Sequence, residues 1–434
     1  MQAPKTSVES APSRHRIDVA THALLMRGPR RQPLQPLDPP ASLPEPVFPQ
    51  YPEKLGDVAP DPKYLPAGGN PYRTRFDPPI VWRALRGWLF PYLRSVLLPG
   101  DFHPIIAYLF TEWKCNLDCH YCWAFDNRVP GMTEDTARQA IDWLHDIGCR
   151  VLALMGGEVL IRPHFVHKVV YYAAKKGFWV YVPTNGRLMR PDVIDRLGDA
   201  GVATINLALD SIDERRELPK ALNPIRPYFE YLIKKQYVYH YSVFFNINIT
   251  PINIEDVKQL TEIAHDVGIA TDYHLNESPM TEQAHFKHMS ANPTFITPAD
   301  WPRIDALIDW LIDKQRQGYK MVNSIRRLEQ MKLFMRGELQ DWECRAGQNS
   351  IIIRTDGTLG PCFPLYSATY DWGVVGRPQF DPAQLAQMKR ACQPHCYSTL
   401  NHNLAFCYKP SRALRWVLKQ ALRGFQGTTG AFEE

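Results

Sequence analysis

The 434-residue sequence has no long apolar run. Its most apolar stretch, residues 81–98, is broken by Arg83, Arg86, Arg94 and Pro91, which excludes a transmembrane helix there. The charged–apolar–small order of a secretory signal is missing, because the apolar run Ala23–Met26 is too short. Charge of one sign is also scarce. Fifty Lys and Arg against 45 Asp and Glu leave a net +5, spread along the chain rather than gathered, so no nucleic-acid partner is expected. Nine cysteines are an odd number for a disulfide framework, and most fall in tight clusters at ligand-like spacing. The expectation is a cytoplasmic, metal-binding chain.

What is present divides into five parts. Residues 1–80 hold fifteen of the 38 prolines between Pro29 and Pro79, too many for helix or central strand, so an extended arm is expected, disordered or wrapped on the surface. Residues 81–100 form a basic amphipathic segment. Residues 101–317 alternate strand and helix signals, from Ile105–Phe110 to Ala270–Leu275, followed by a helix at Trp301–Gln317. Six such strands imply an α/β fold, a partial (β/α)6 TIM-like barrel with its chemistry at the C-terminal strand ends. Residues 318–410 are cysteine-bearing and turn-rich, and residues 411–434 form a second basic amphipathic stretch.

Cys115, Cys119 and Cys122 sit in one short loop directly after the first predicted strand. Three thiolates this close can face one cubic iron–sulfur cluster, and three ligands leave one iron open to a small molecule. A structural zinc site uses similar spacings and is the bland alternative.

The Cys-x3-Cys-x2-Cys loop, with Tyr121 before the third cysteine, resembles the radical S-adenosylmethionine (SAM) superfamily signature. Gly156-Gly157-Glu158 at the second strand end resembles that family's Gly-Gly-Glu motif, and Thr184-Asn185-Gly186 its Thr-Asn-Gly. Ala208-Leu209-Asp210-Ser211 resembles the stretch near the SAM ribose. The resemblance implies a [4Fe-4S] cluster on Cys115, Cys119 and Cys122. It also implies SAM held by Tyr121, Gly156, Gly157, Glu158, Thr184 and Asn185, with Tyr121 flanking the adenine. Two positions depart from the pattern: Val159 replaces the usual proline, and Ala208 replaces a serine that often contacts the ribose. Asn206, Asp210 or Asn248 is expected to supply that contact.

Cys344, Cys362, Cys392, Cys396 and Cys407 follow in the C-terminal region. The stretch from Cys344 through the Asp356-Gly357 turn to Cys362 resembles the auxiliary-cluster domains called SPASM or, when shortened, twitch. A second iron–sulfur cluster is implied, with zinc or buried thiols as alternatives. Cys344, Cys362 and Cys396 are the firmer ligands, with Cys392 and Cys407 competing for the last place. Cys149 reads as a packing residue.

Glu112, His274, Asn276 and Glu277 are strand-end candidates for substrate binding or proton movement, against the commoner role of polar groups satisfied by neighbours. Arg83, Arg86 and Arg94 oppose Leu85, Trp88, Leu89, Tyr92 and Val96 at helical spacing. Arg412, Arg415, Lys419 and Arg423 likewise oppose Leu414, Val417, Leu418, Ala421 and Phe425. Such helices either cap the barrel, apolar side inward, or lie peripherally on an anionic membrane.

The expected activity is reductive SAM cleavage to a 5′-deoxyadenosyl radical that takes hydrogen from an unactivated carbon of a peptide or small organic substrate. An electron donor such as a flavodoxin or ferredoxin is the expected partner. The rivals are a lipid or isoprenoid substrate at the membrane surface, and a non-catalytic iron–sulfur or zinc redox protein.

Overall fold

The computed structural model describes residues 32–51, 82, 85–98, 102–122, 127–275, 292–339, 342, 344–366, 370–393, 396–398 and 401. The expectations for Asn276, Glu277, Cys407 and the stretch 411–434 lie outside the described residues.

The chain alternates β1 (Ile106–Glu112), α2 (Glu134–Asp146), β2 (Val151–Gly156), α3 (Pro163–Lys175), β3 (Trp179–Thr184), α4 (Pro191–Asp199), β4 (Thr204–Ala208), α5 (Arg226–Tyr239), β5 (Ser242–Ile249), α6 (Ile254–Asp266) and β6 (Ala270–Leu275). All neighbouring pairs of these six strands are parallel. Helix α1 (Phe90–Leu97), preceded by a π-helical turn at Leu85–Leu89, stands before them, and α7 (Trp301–Arg316) and α8 (Ile325–Arg336) follow. Local chemistry sets the helix starts. The Thr133 hydroxyl accepts the Thr136 N–H at 3.1 Å and caps α2, and the Ser324 hydroxyl does the same for α8.

Six parallel strands form the expected partial barrel, and the sheet does not stop there. A hairpin, β7 (Ser350–Ile353) and β8 (Leu359–Gly360), adds two strands, with β7 parallel to β1, in the order β6-β5-β4-β3-β2-β1-β7-β8. Asp356-Gly357 makes its turn, with Gly357 at φ +79°. A short ribbon of β9 (Gly373–Val374) and β10 (Arg377–Pro378) and then α9 (Pro382–Cys392) complete the described C-terminal region.

Strand alternation sorts residues to the two faces. Leu109, Leu154, Val180, Ile205, Phe245, Ile247 and Tyr273 pack under the helices. Ile106, Tyr108, Phe110, Ala153, Trp179 and Ile352 turn inward. The inner face is unevenly filled. Every position of β1 and β7 is buried, whereas Tyr181, Asn206, Ala208, Asn246, Asn248 and His274 on β3–β6 stay partly open. The cause is an aromatic plug: Tyr366 packs 4.4 Å from both Phe110 and Trp113, with Phe363 stacked on Phe110 at 5.7 Å. Each such pair contributes about 0.5–1.5 kcal/mol beyond its buried area.

The segment before β1 turns one face inward. Gly87 is buried at the foot of β2 and β3, close to Val151 and Trp179, and Trp88 packs against Tyr181. That face caps the barrel. A different apolar stripe faces outward: Trp82, Phe90, Leu93, Leu97 and Leu98 are exposed. From the N-terminal arm, residues 32–51 lie along the molecule, where Ala41 and Leu43 N–H groups donate to Asp135 and Glu134 in the first turn of α2.

Candidate functional site

The four motifs converge at the C-terminal ends of β1–β4. Gly156 and Gly157 are needed because the cysteine loop crosses them. A Cβ on Gly156, at φ +154°, would lie 1.8 Å from the Glu112 carbonyl oxygen, and one on Gly157 2.3 Å from that of Lys114. The close approach lets Gly157 N–H donate to Glu112 O at 3.0 Å and Glu158 N–H to Lys114 O at 2.8 Å.

Glu158 is buried and both its carboxylate oxygens are engaged. Oε1 accepts the Leu160 N–H at 3.0 Å and the Thr184 hydroxyl at 2.8 Å, and Oε2 accepts the Asn185 N–H at 2.8 Å. Burial raises its pKa, opposed by these hydrogen bonds. The Asn185 amide in turn donates to Asn116 Oδ1 inside the cysteine loop at 2.8 Å. On the other side of the loop the Tyr121 hydroxyl donates to Asp210 Oδ2, while Asp210 Oδ1 accepts the Asn248 N–H at 2.9 Å. Burial likewise raises the Asp210 pKa. One hydrogen-bonded frame therefore ties the cysteine loop to all three of the other strand-end motifs.

Within the frame, the Cys115, Cys119 and Cys122 thiols couple electrostatically to one another. Burial pushes the Cys115 thiol up to about 11 and raises Cys119 further, so thiolate there requires a positive neighbour. Lys220 is such a neighbour. Burial disfavours its charge, but Cys119, Asp210, Cys122 and Cys115 raise its pKa on balance, and its ammonium sits 5.1 Å over the Tyr121 ring.

Lys220 and Asn116 were not singled out in the sequence. Asn116 carried a signal, standing between two of the cysteines, while Lys220 lies in a loop ten residues past Asp210 with no motif around it. Glu112 is buried, its Oε1 accepting the Trp113 and Lys114 N–H groups at 3.0 and 3.1 Å and its Oε2 lying 3.9 Å from Arg162. Cys149 is buried within 3.5 Å of the Ile105 and Val151 carbonyls, away from the cysteine loop.

A profile of the Radical SAM superfamily matches residues 114–275, the span that carries this frame. Over that span the chain is similar to the radical SAM superfamily. Among curated relatives, the AdoMet-dependent heme synthase of Methanosarcina barkeri is 29% identical over 222 residues, covering 49% of this chain and 59% of that protein. The Fe-coproporphyrin III synthase of the same organism is 28% identical over 123 residues, covering 27% of this chain and 30% of that protein. The chain thus spans less than two thirds of the length of these relatives. Among solved structures, Streptococcus suis SuiB bound to S-adenosylmethionine superposes with a TM-score of 0.50 at 15% identity, over 71% of this chain and 77% of that one, a likeness of fold.

A radical SAM domain implies a [4Fe-4S] cluster and SAM, and the donor set fits them. Three thiols project from one loop beside a cation that favours their ionised form. Among the described residues no three His, Cys, Asp or Glu side chains are placed to hold one metal ion. A cubic cluster sets a wider spacing, because each thiolate binds its own iron.

The C-terminal cysteines form a second group. The β7–β8 hairpin brings the segments holding Cys344 and Cys362 side by side, with Gly347 N–H donating to Pro361 O at 3.1 Å. Cys392 joins from the end of α9, and the three thiols couple electrostatically. Burial holds all three above the ordinary thiol range, Cys392 at about 12. Cys396 Sγ accepts the Ser398 N–H at 3.3 Å, and the Cys396 carbonyl accepts Trp342 Nε1 at 3.2 Å.

Across the open side of the barrel, His274 Nε2 lies 3.2 Å from Asp272 Oδ2, and Arg327 of α8 is 4.0 Å from Asp272 Oδ1. Burial, the largest influence, would raise the Asp272 pKa, but His274 and Arg327 hold it below the ordinary carboxylate value.

Proposed function

We propose that this chain is a radical SAM enzyme whose Cys115, Cys119 and Cys122 hold a [4Fe-4S] cluster, and whose polar lumen over β3–β6 receives an organic substrate. The observation that carries the proposal is the hydrogen-bonded frame joining the cysteine loop to Glu158, Thr184-Asn185 and Asp210. When bound, the cluster supplies one electron to SAM, whose cleavage gives methionine and a 5′-deoxyadenosyl radical that takes hydrogen from the substrate.

The chain's own residues orient and shield. Asn116 and Tyr121 fix the cysteine loop through Asn185 and Asp210. Lys220 holds a positive charge beside the three thiols and Asp210, where it would favour a bound cluster and the anionic end of SAM. Of the residues offered in place of the serine absent at Ala208, Asp210 is engaged by Tyr121 and Asn248, whereas Asn206 keeps a buried Oδ1 without a partner and suits the ribose. Asn246 and His274 face the open lumen beside it, with Asp272 orienting His274. The aromatic plug closes the β1 and β7 side against water. A second iron–sulfur cluster belongs on Cys344, Cys362 and Cys392, with Cys396 or Cys407 as a fourth ligand or the fourth iron open. A flavodoxin or ferredoxin serves as electron donor.

The deciding experiment counts iron and sulfide after anaerobic reconstitution and assays 5′-deoxyadenosine from SAM with dithionite. Wild type should hold about eight irons and form product, and Cys119→Ala should lose the product. Zinc in place of iron, with no 5′-deoxyadenosine, sinks the proposal. The relatives named for heme synthesis make an iron porphyrin the first substrate class to test. Fe-coproporphyrin III added to the holoenzyme should shift its Soret band, and an unchanged spectrum turns the search to peptides.

One further observation favours contact with an anionic lipid surface. The outward stripe Trp82, Phe90, Leu93 and Leu97 carries exposed Arg94 beside it. Flotation with phosphatidylserine-containing vesicles that is lost in Leu93→Glu supports this reading. No flotation removes it.

A further inference from the structure

Helix α9 carries Lys389 one turn before Cys392, so both side chains lie on one helix face. The helix is locked against the hairpin at Gly347, where an added Cβ would come within 2.7 Å of Leu385. The next residue, Gln348, accepts the Lys389 ammonium on its Oε1 at 2.8 Å. The Lys389 cation is thereby held in the second cysteine group, coupled to Cys344, Cys362 and Cys392 together. Burial most strongly disfavours the Lys389 charge, and among the described residues the thiols and the Arg345 guanidinium act on it next.

A mostly buried lysine charge is disfavoured unless negative charge lies near it. Three neutral thiols cannot supply it. Three thiolates on an iron–sulfur cluster can, and the cluster gains another negative charge on reduction. We propose that Lys389, with Arg345 beside it, raises the reduction potential of an iron–sulfur cluster held by Cys344, Cys362 and Cys392, an inference that rests on the second-cluster reading above. Charge and hydrogen bonding around the sulfurs set such potentials, so a fixed cation favours the reduced state. Lys389 acts through the cluster and is a positioned charge, not a catalytic residue.

The test uses the full-length chain with Cys115, Cys119 and Cys122 all changed to Ala, so that only the second cluster remains. After anaerobic reconstitution, iron is counted and the midpoint potential is read by EPR-monitored titration. The parent is expected to keep about four irons. Lys389→Met should shift the midpoint to a more negative potential, and Lys389→Arg should return it toward the parent value. If Lys389→Met fails to retain iron, Lys389→Gln, which keeps a polar head without charge, is titrated in its place. A parent that binds no iron defeats the second cluster and the inference with it. Iron retained with the same potential in the charge-neutral variant overturns the role of Lys389 and leaves the cluster standing.

Discussion

The Glu158 carboxylate accepts the backbone N–H of Asn185 at 2.8 Å, across the gap between two neighbouring strand ends. With its bonds to Thr184 and Leu160, this contact makes Glu158 a weld between motifs. Hydrogen bonds to charged groups contribute about 1.5–3 kcal/mol each, so Glu158→Ala should destabilise the apoprotein by about 3 kcal/mol or more. Urea unfolding measures this. A loss below about 0.5 kcal/mol, the range of neutral surface changes, would show the weld to be incidental.

Gly156 makes a steric prediction. Any side chain there meets the Glu112 carbonyl. Gly156→Ala should therefore displace the cysteine loop, and the reconstituted protein should lose iron from the first site. Cys149→Ala is the control, since its thiol packs among carbonyls elsewhere and iron content should be unchanged.

Lys220→Met removes the cation facing Cys119 and Asp210. SAM affinity, measured by anaerobic equilibrium dialysis, should fall about tenfold or more, equivalent to about 1.4 kcal/mol. Iron content should fall as well, because the thiols lose the neighbour that favours their ionised form. Unchanged affinity would remove Lys220 from the cofactor site.

Asp272 and Arg327 are both buried, at 6% and 3% exposure, and their charges lie 4.0 Å apart. Asp272→Asn removes one negative charge facing the buried guanidinium and should cost about 3–5 kcal/mol, partly recovered in the double variant with Arg327→Met. The pH dependence has a definite sign. The folded-state pKa of Asp272 lies below its unfolded value, so its contribution is present above the unfolded pKa and lost as pH falls through the folded one. The acid limb of the stability profile should flatten in Asp272→Asn, as followed by thermal unfolding between neutral pH and about pH 3.

Thr133→Ala tests the local reading alone. Losing the hydroxyl that accepts the Thr136 N–H should cost about 1 kcal/mol, with no change in iron or SAM binding.

The sequence by itself determined the parts that follow from local chemistry and short spacing. The 2.0 and 3.6 periodicities placed the six parallel strands and their helices, and Thr133 marked the start of α2. The three cysteines and the strand-end motifs were legible because each is a few contiguous residues. Tertiary structure alone decided what depends on residues far apart in the chain. Lys220 reaches the cysteine loop only because the chain after β4 folds back over it, with Asp210 N–H donating to Lys220 O. The pairing of β7 with β1, and the plug that Tyr366 drives onto Phe110 and Trp113, join segments more than 230 residues apart. The same is true of Arg327 behind Asp272 and of Lys389 among the C-terminal thiols. Periodicity reports which face of an element is apolar, while the partner that covers that face is chosen by packing the whole chain at once.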